Sequence, residues 1–256
     1  MDYLSGAGKM TATFIYKPED LQDDIITIGG SEAHHIAKVL RCVKGDMVRL
    51  IDGSGTAHIC EIASVGPKKV DCRIVKTQKN SGESNLQLTL AIGLSTALKF
   101  DDVVEKATEA GVRRLTPLLT EKAKVKTGDK GALTRKMQRW RRICEAAVKQ
   151  SGRSWIPVID EPIPYDIFLQ DCHPDESIIF HPAEREDNII DLIKLKSLQR
   201  MTILVGPESG FTSAEIEAAR NRGITPISLG DRVLRTETAG TILPALMIYL
   251  WENTKA

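Results

Sequence analysis

Two short stretches near the carboxyl end hold the side chains best suited to chemistry. GPESGF, residues 206–211, carries Glu208, and LGDRVLRTETA, residues 229–239, carries Arg235 and Glu237. Both contain glycines, which let backbone N–H and C=O groups approach a ligand with no Cβ in the way. A carboxylate can accept a proton. A guanidinium cannot act as a base and instead offers charge and donors to a developing anion or a phosphate. A plainer reading stands beside this one: Gly206, Gly210 and Gly230 as ordinary turn glycines, Glu208 as a loop brace, and Glu237 as a first-turn carboxylate favoured by the helix dipole.

Such chemistry needs elements that bring the stretches together. The apolar run Met201–Val205 reads as a strand broken by Gly206, and Thr212 with Glu215 three residues on forms the capping box of a following helix. A second run, Thr225–Leu229, ends at Gly230 and re-enters helix around Thr236. Ala239, Ile242, Leu243, Leu246, Met247, Leu250 and Trp251 keep helical spacing for the last helix, with a bend expected at Pro244. Two strand–loop–helix units this close predict one pocket at the carboxyl ends of adjacent parallel strands.

Upstream, the rhythm divides the chain. Residues 1–78 alternate short strands (Thr13–Tyr16, Ile25–Ile28, Met47–Ile51, His58–Ser64, Val70–Val75) with turns, the pattern of a small barrel. One helix interrupts them, SEAHHIAKVLRCV, with Ser31 as N-cap and His34, Lys38 and Arg41 on its polar side. Residues 79–85, KNSGESN, read as a polar linker. From 86 to 256 strands and helices alternate: Leu86–Leu94, helix Lys99–Ala110 with Gly111 as αL cap, Leu115–Leu119, helix Thr134–Gln150, Ser177–Phe180, then the two units above. That order predicts an α/β domain with a parallel sheet.

Composition narrows the partners. The net charge is +1, so a polyanion must be met by local patches. Between Glu121 and Arg153 eleven basic residues face three acidic ones. A solvated helix face explains a lone basic stripe, but an imbalance this local points to a phosphate backbone. Arg135, Arg139 and Arg142 there, with Lys38 and Arg41 in the first domain, form two candidate RNA footholds. RNA is favoured over duplex DNA because no DNA-reading helix pair or zinc module is visible. Five cysteines without a CxxC pair suit a reduced, cytoplasmic protein, and no metal-ligand spacing appears. No apolar run is long enough to span a membrane, and no signal peptide is evident. The opening SGAGK lacks the first glycine and the Ser or Thr of a phosphate loop.

GPESGF followed by LGDRVLRTETA resembles the paired carboxy-terminal signatures of the bacterial 16S ribosomal RNA uracil-N3 methyltransferases, of the knotted SPOUT superfamily. HHIAKVLR, KGD, EKATEAGVRRLTPLLTEKA and CEAAVKQSGR extend the likeness over nearly everything after residue 12. The resemblance implies a PUA-like RNA-binding barrel, an α/β domain with a trefoil knot, S-adenosylmethionine bound at the knot, and a homodimer acting on 16S rRNA or the small ribosomal subunit. It assigns cofactor contacts to Leu204, Val205, Gly206, Leu229, Gly230, Leu234, Thr236 and Thr238. Two departures stand out. Ser209 replaces a family glycine, and Met10–Thr13 lacks a family arginine, so that RNA contact is either missing or supplied by Lys9 or Lys17.

Methylating N3 requires an exposed base, an aligned methyl donor and loss of the imide proton. With an imide pKa about two units above neutral, forming the anion costs roughly 3 kcal/mol, within reach of one nearby cation or base. Glu208 or Glu237 would accept the proton and Arg235 would stabilise the anion or hold a phosphate. A ribose 2′-OH or another base as target, and a non-catalytic ribosome-assembly factor, are the competing readings.

Overall fold

The computed structural model describes residues 10–94, 97–123, 130–182 and 199–253. The chain divides into two compact units. One comprises the described residues up to Glu83 together with Val148–Ile156. The other comprises Ser84–Ala147 and the chain from Pro157 onward.

The first unit is a six-stranded sheet of β1 (Met10–Ile15), β2 (Leu21–Gln22), β3 (Ile25–Gly29), β4 (Met47–Ile51), β5 (Thr56–Val65) and β6 (Lys69–Lys79), in the order β1-β4-β5-β6-β3-β2. Only the β1–β4 pairing is parallel. β1 and β2 are its two edges, so among the described residues no hydrogen-bonded seam closes the expected barrel. Alternate residues such as Ile26 and Ile28 turn inward to join Phe14, Val48, Leu50, Ile62 and Ile36 in one core.

The helix after β3 starts at Gly30 rather than after Ser31. Gly29 is the N-cap of this helix, α1 (Gly30–His34), and Gly30 takes a left-handed φ of 60°, so the chain turns two residues earlier than a cap at Ser31 would require. From His35 to Val39 it widens into a π-helical turn, and Arg41 then takes a φ of 56°.

The segment expected to be a loose linker is clamped. β6 runs to Lys79, and Glu83 is buried against Arg153, at 0% and 2% side-chain exposure. The carboxylate accepts from Arg153 Nη2 (2.8 Å) and Nε (3.2 Å) and from the backbone N–H groups of Ser154 and Trp155 (2.9 Å each). Gly82, at φ 76°, lies so close that a Cβ would sit 2.5 Å from the Gly152 carbonyl oxygen. Residues 148–156 therefore belong to the first unit, where the sequence placed them in the second.

The second unit is built on seven parallel strands: β7 (Gln87–Gly93), β8 (Arg114–Leu119), β9 (Val158–Ile159), β10 (Ile163–Pro164), β11 (Ser177–Phe180), β12 (Arg200–Val205) and β13 (Thr225–Ile227). Their order is β10-β8-β7-β12-β11-β13, with β9 also on β8. β7 and β12 are nearly continuous apolar runs, as strands covered on both faces must be. Helices α2 (Ala97–Glu109), α3 (Lys130–Ser151), α4 (Tyr165–Asp171), α5 (Ser213–Asn221) and α6 (Thr236–Asn253) alternate with them. α3 begins four residues before the expected Thr134, and β9, β10 and α4 were not foreseen, being too short to show a period. α6 continues through Pro244. No helix among the described residues is long and apolar enough to cross a membrane.

Candidate active site

A cleft of about 650 Å³, counted with its open mouth, lies at the carboxyl ends of β11, β12 and β13. Its walls include Val205, Gly206, Glu208 and Phe211 from the loop after β12, and Ile227, Leu229 and Leu234 from the loop after β13. The two strands are not neighbours, as the sequence had suggested. β11 is inserted between them, and its end, Phe180–Pro182, forms a third wall that no motif announced.

Hydrogen bonds tie the loops into one frame. Thr236, the first residue of α6, donates its hydroxyl to the Gly206 carbonyl at 3.2 Å. Ser228 Oγ accepts from the Gly230 N–H at 3.1 Å and lies 3.3 Å from the Pro182 carbonyl, so one serine joins the β13 loop to the β11 loop. At the far side of the β12 loop the capping box is formed: Thr212 Oγ1 accepts from the Glu215 N–H, and the buried Glu215 carboxylate accepts from Thr212 N (2.7 Å) and Glu121 N (2.9 Å). The buried Tyr165 hydroxyl, its pKa pushed up by burial, donates to the Glu215 carbonyl.

Space is tight at Gly206: a Cβ would come within 3.0 Å of Phe211 N and 3.1 Å of Gly210 Cα, so the loop would have to give by a few tenths of an ångström. The left-handed residue is Gly210, at φ 68°, while Ser209 has no positive φ. Ser209 therefore fits where the family pattern has glycine, and its carbonyl receives Lys122 Nζ at 3.4 Å.

Of the eight expected cofactor contacts, Val205, Gly206, Leu229, Leu234 and Thr236 line the cleft. Leu204, Gly230 and Thr238 do not. Leu204 points into the core beneath, because side chains alternate along β12, and Gly230 shapes the turn at φ 95°. Thr238 is half-buried in the first turn of α6. The walls are mainly apolar, with the backbone of both glycine-bearing loops among them, which suits a nucleoside. Among the described residues no cluster of metal-ligating side chains occurs.

Of the charged candidates Glu208 lines the cleft, while Arg235 and Glu237 do not; all three act on a lysine that the sequence did not reveal. Lys99, in the first turn of α2, donates to Glu208 Oε1 at 2.6 Å, with both side chains about half exposed (45% and 40%). The hydrogen bond to Glu208 raises the Lys99 pKa, the Glu208 and Glu237 charges add to the effect, and burial and Arg235 oppose it. Glu237 Oε2 is buried without a hydrogen-bond partner among the described residues. What brings Lys99 here is the β7–β12 pairing, which sets Ile92 against Val205 and Gly93 so near the next loop that a Cβ would strike Pro207 N at 2.3 Å.

The fold and this cleft agree with known proteins. Sequence profiles described as an RNA methyltransferase domain and an RNA methyltransferase PUA domain match residues 82–248 and 28–75. The chain belongs to this RNA methyltransferase family. It is 30% identical to a ribosomal RNA small subunit methyltransferase E of Bacillus subtilis, covering 83% of this chain and 85% of that one, and 29% identical to one of Synechocystis, covering 95% and 79%. A ribosomal RNA small subunit methyltransferase E of Neisseria gonorrhoeae, solved with S-adenosyl methionine bound, superposes with a TM-score of 0.83 at 28% identity over 95% of this chain and 98% of its own.

Within this RNA methyltransferase chain the expected RNA footholds are unequal. Lys38 and Arg41 are exposed on the first unit beside exposed Val39 and Val43. Arg135, Arg139 and Arg142 are exposed along α3, but Arg139 pairs with Asp101 and Arg135 also has a partner. The basic excess is smaller at the surface than in the sequence, since Arg153 is buried, Lys149 pairs with Glu32 and Arg141 with Glu145. Lys9 and residues 124–129 lie outside the described residues.

Proposed function

We propose that the protein transfers the methyl group of S-adenosylmethionine to N3 of a uridine in 16S ribosomal RNA of the small subunit. One observation carries the reading: the two glycine-bearing loops wall a single cleft, tied by Thr236 to Gly206, with Glu208 in its wall. Leu229, Leu234 and Val205 would flank the adenosine, and the backbone around Gly206 would meet its polar edges. The bound cofactor supplies an electrophilic methyl group.

The residues of the chain do the rest. The imide proton leaves to solvent or, directly or through water, to Glu237, half-buried in the first turn of α6. Arg235, exposed and without a side-chain partner among them, offers its guanidinium to the RNA backbone or to the forming anion. Lys38 and Arg41, with Arg135, Arg139 and Arg142, hold phosphates and thereby place the base.

Three structural readings belong to the same proposal. The division into an RNA-binding unit and a methyltransferase unit follows the compact units, with the boundary at Glu83 rather than Gln78. The segment after β12 is threaded as a trefoil knot, supported by the match to the RNA methyltransferase domain over residues 82–248. Two copies pair through α6, which leaves Ile242 and Tyr249 exposed at helical spacing.

The test is direct. Incubated with S-adenosylmethionine and small subunits from a strain lacking the modification, the protein should yield N3-methyluridine by nucleoside mass spectrometry. Arg235→Ala should melt like wild type yet lose transfer. A ribose 2′-O-methyl product would replace this reading with the first competing one. Failure to bind S-adenosylhomocysteine in calorimetry would leave the non-catalytic one.

A further inference from the structure

We propose that Lys99 is the cation that stabilises the negative charge formed on a uracil carbonyl oxygen as N3 loses its proton, and that Glu208 holds it in place for that task. The inference rests on the N3 reading above and adds a residue to which neither glycine loop pointed.

Geometry favours Lys99 over Arg235. A charged donor stabilises a developing anion most when it is already oriented, because no reorganisation accompanies the reaction. Lys99 is anchored at 2.6 Å to Glu208, a residue that itself lines the cleft. The Arg235 side chain makes no hydrogen bond or ion pair among the described residues, which suits a group that follows a phosphate. An ammonium has three donors, and Glu208 takes one.

Charge balance points the same way. The groups facing Lys99 are Glu208 from the β12 loop, Arg235 from the end of the β13 loop and Glu237 from α6. Two cations and two carboxylates sum to zero, so a neutral uracil arrives without penalty. Once N3 has given its proton to solvent or to Glu237, the uracil carries −1 spread over O2, N3 and O4. That charge is cancelled when N3 forms its bond to the methyl group and the sulfonium becomes a neutral thioether. The raised proton affinity of Lys99, caused first by the Glu208 hydrogen bond, keeps it charged throughout and removes it as a candidate base.

The experiment compares wild type, Lys99→Met and Lys99→Arg in single-turnover methylation of unmodified small subunits across neutral to alkaline pH, alongside S-adenosylhomocysteine calorimetry. Lys99→Met should slow transfer about 10²-fold at neutral pH, the loss expected for one oriented donor to an anion. Its rate should go on rising with pH beyond the point where wild type levels off, because the unassisted imide ionises later. Lys99→Arg should recover most of the rate, and cofactor affinity should stay within about twofold in all three. An unchanged rate and pH limb in Lys99→Met, with N3-methyluridine from wild type, overturns the role of Lys99 alone. A loss of affinity equal to the loss of rate also overturns it, by making Lys99 a cofactor contact. A product other than N3-methyluridine from wild type overturns the function, and this inference with it.

Discussion

Two of the molecule's glutamate–cation pairs look alike on paper and differ in kind. Glu83 and Arg153 in the first unit are sealed from water, and the Glu83 carboxylate is also held by two backbone N–H groups. Glu208 and Lys99 in the second unit are half exposed at the mouth of a cleft, with two more charged groups beside them. A buried carboxylate with its acceptor positions filled is structural, because desolvation makes any unfilled position costly. A carboxylate left open to solvent contributes little stability and is free to serve something that arrives.

The contrast can be broken in several ways. The largest effect should come from Glu83→Ala, which strands Arg153 in the interior: a loss of about 3–5 kcal/mol, read from denaturant unfolding of the first unit. A loss under about 1 kcal/mol would show that water reaches the site and that the clamp is no better than a surface pair. Next comes Glu208→Gln, which should leave unfolding within about 0.5 kcal/mol of wild type. The same change should slow methyl transfer by about tenfold or more, because Lys99 loses its anchor. Equal damage to stability would make the second pair structural too. The smallest effect is expected of Arg135→Ala, Arg139→Ala and Arg142→Ala combined. The salt slope of RNA binding should fall by less than three, because Arg139 is already neutralised by Asp101 and Arg135 also has a partner, with cofactor affinity unchanged.

Much of the second unit was legible. Apolar runs gave β7, β8, β11 and β12 to within a residue or so, and the Thr212–Glu215 capping box formed as its spacing required. Glu208 lines the cleft, and Glu237 and Arg235 face the same lysine. Less legible were features made by distant partners. Nothing around Glu83 announces Arg153, seventy residues away, and a polar segment with Gly and Ser reads as a linker whether or not it is clamped. Ser31 looked like a cap because serine usually is one, yet the left-handed Gly30 made the turn first. The Leu204 side chain enters the core under the sheet while its neighbour Val205 lines the cleft, because side chains alternate along a strand; that leaves Leu204 only its backbone to offer a ligand.

The sequence by itself determined the local devices: which runs become strands, where the glycine loops open, and which charged residues they carry. These follow from periods of two and 3.6 residues and from turn chemistry, which act over a few residues. Only the tertiary structure decided that β11 separates β12 from β13 and so supplies the third wall of the cleft. It also decided that Lys99 meets Glu208 across 109 positions. Strand order in a parallel sheet is set by crossovers and by packing on both faces, and no local pattern encodes which strand a given strand will pair with.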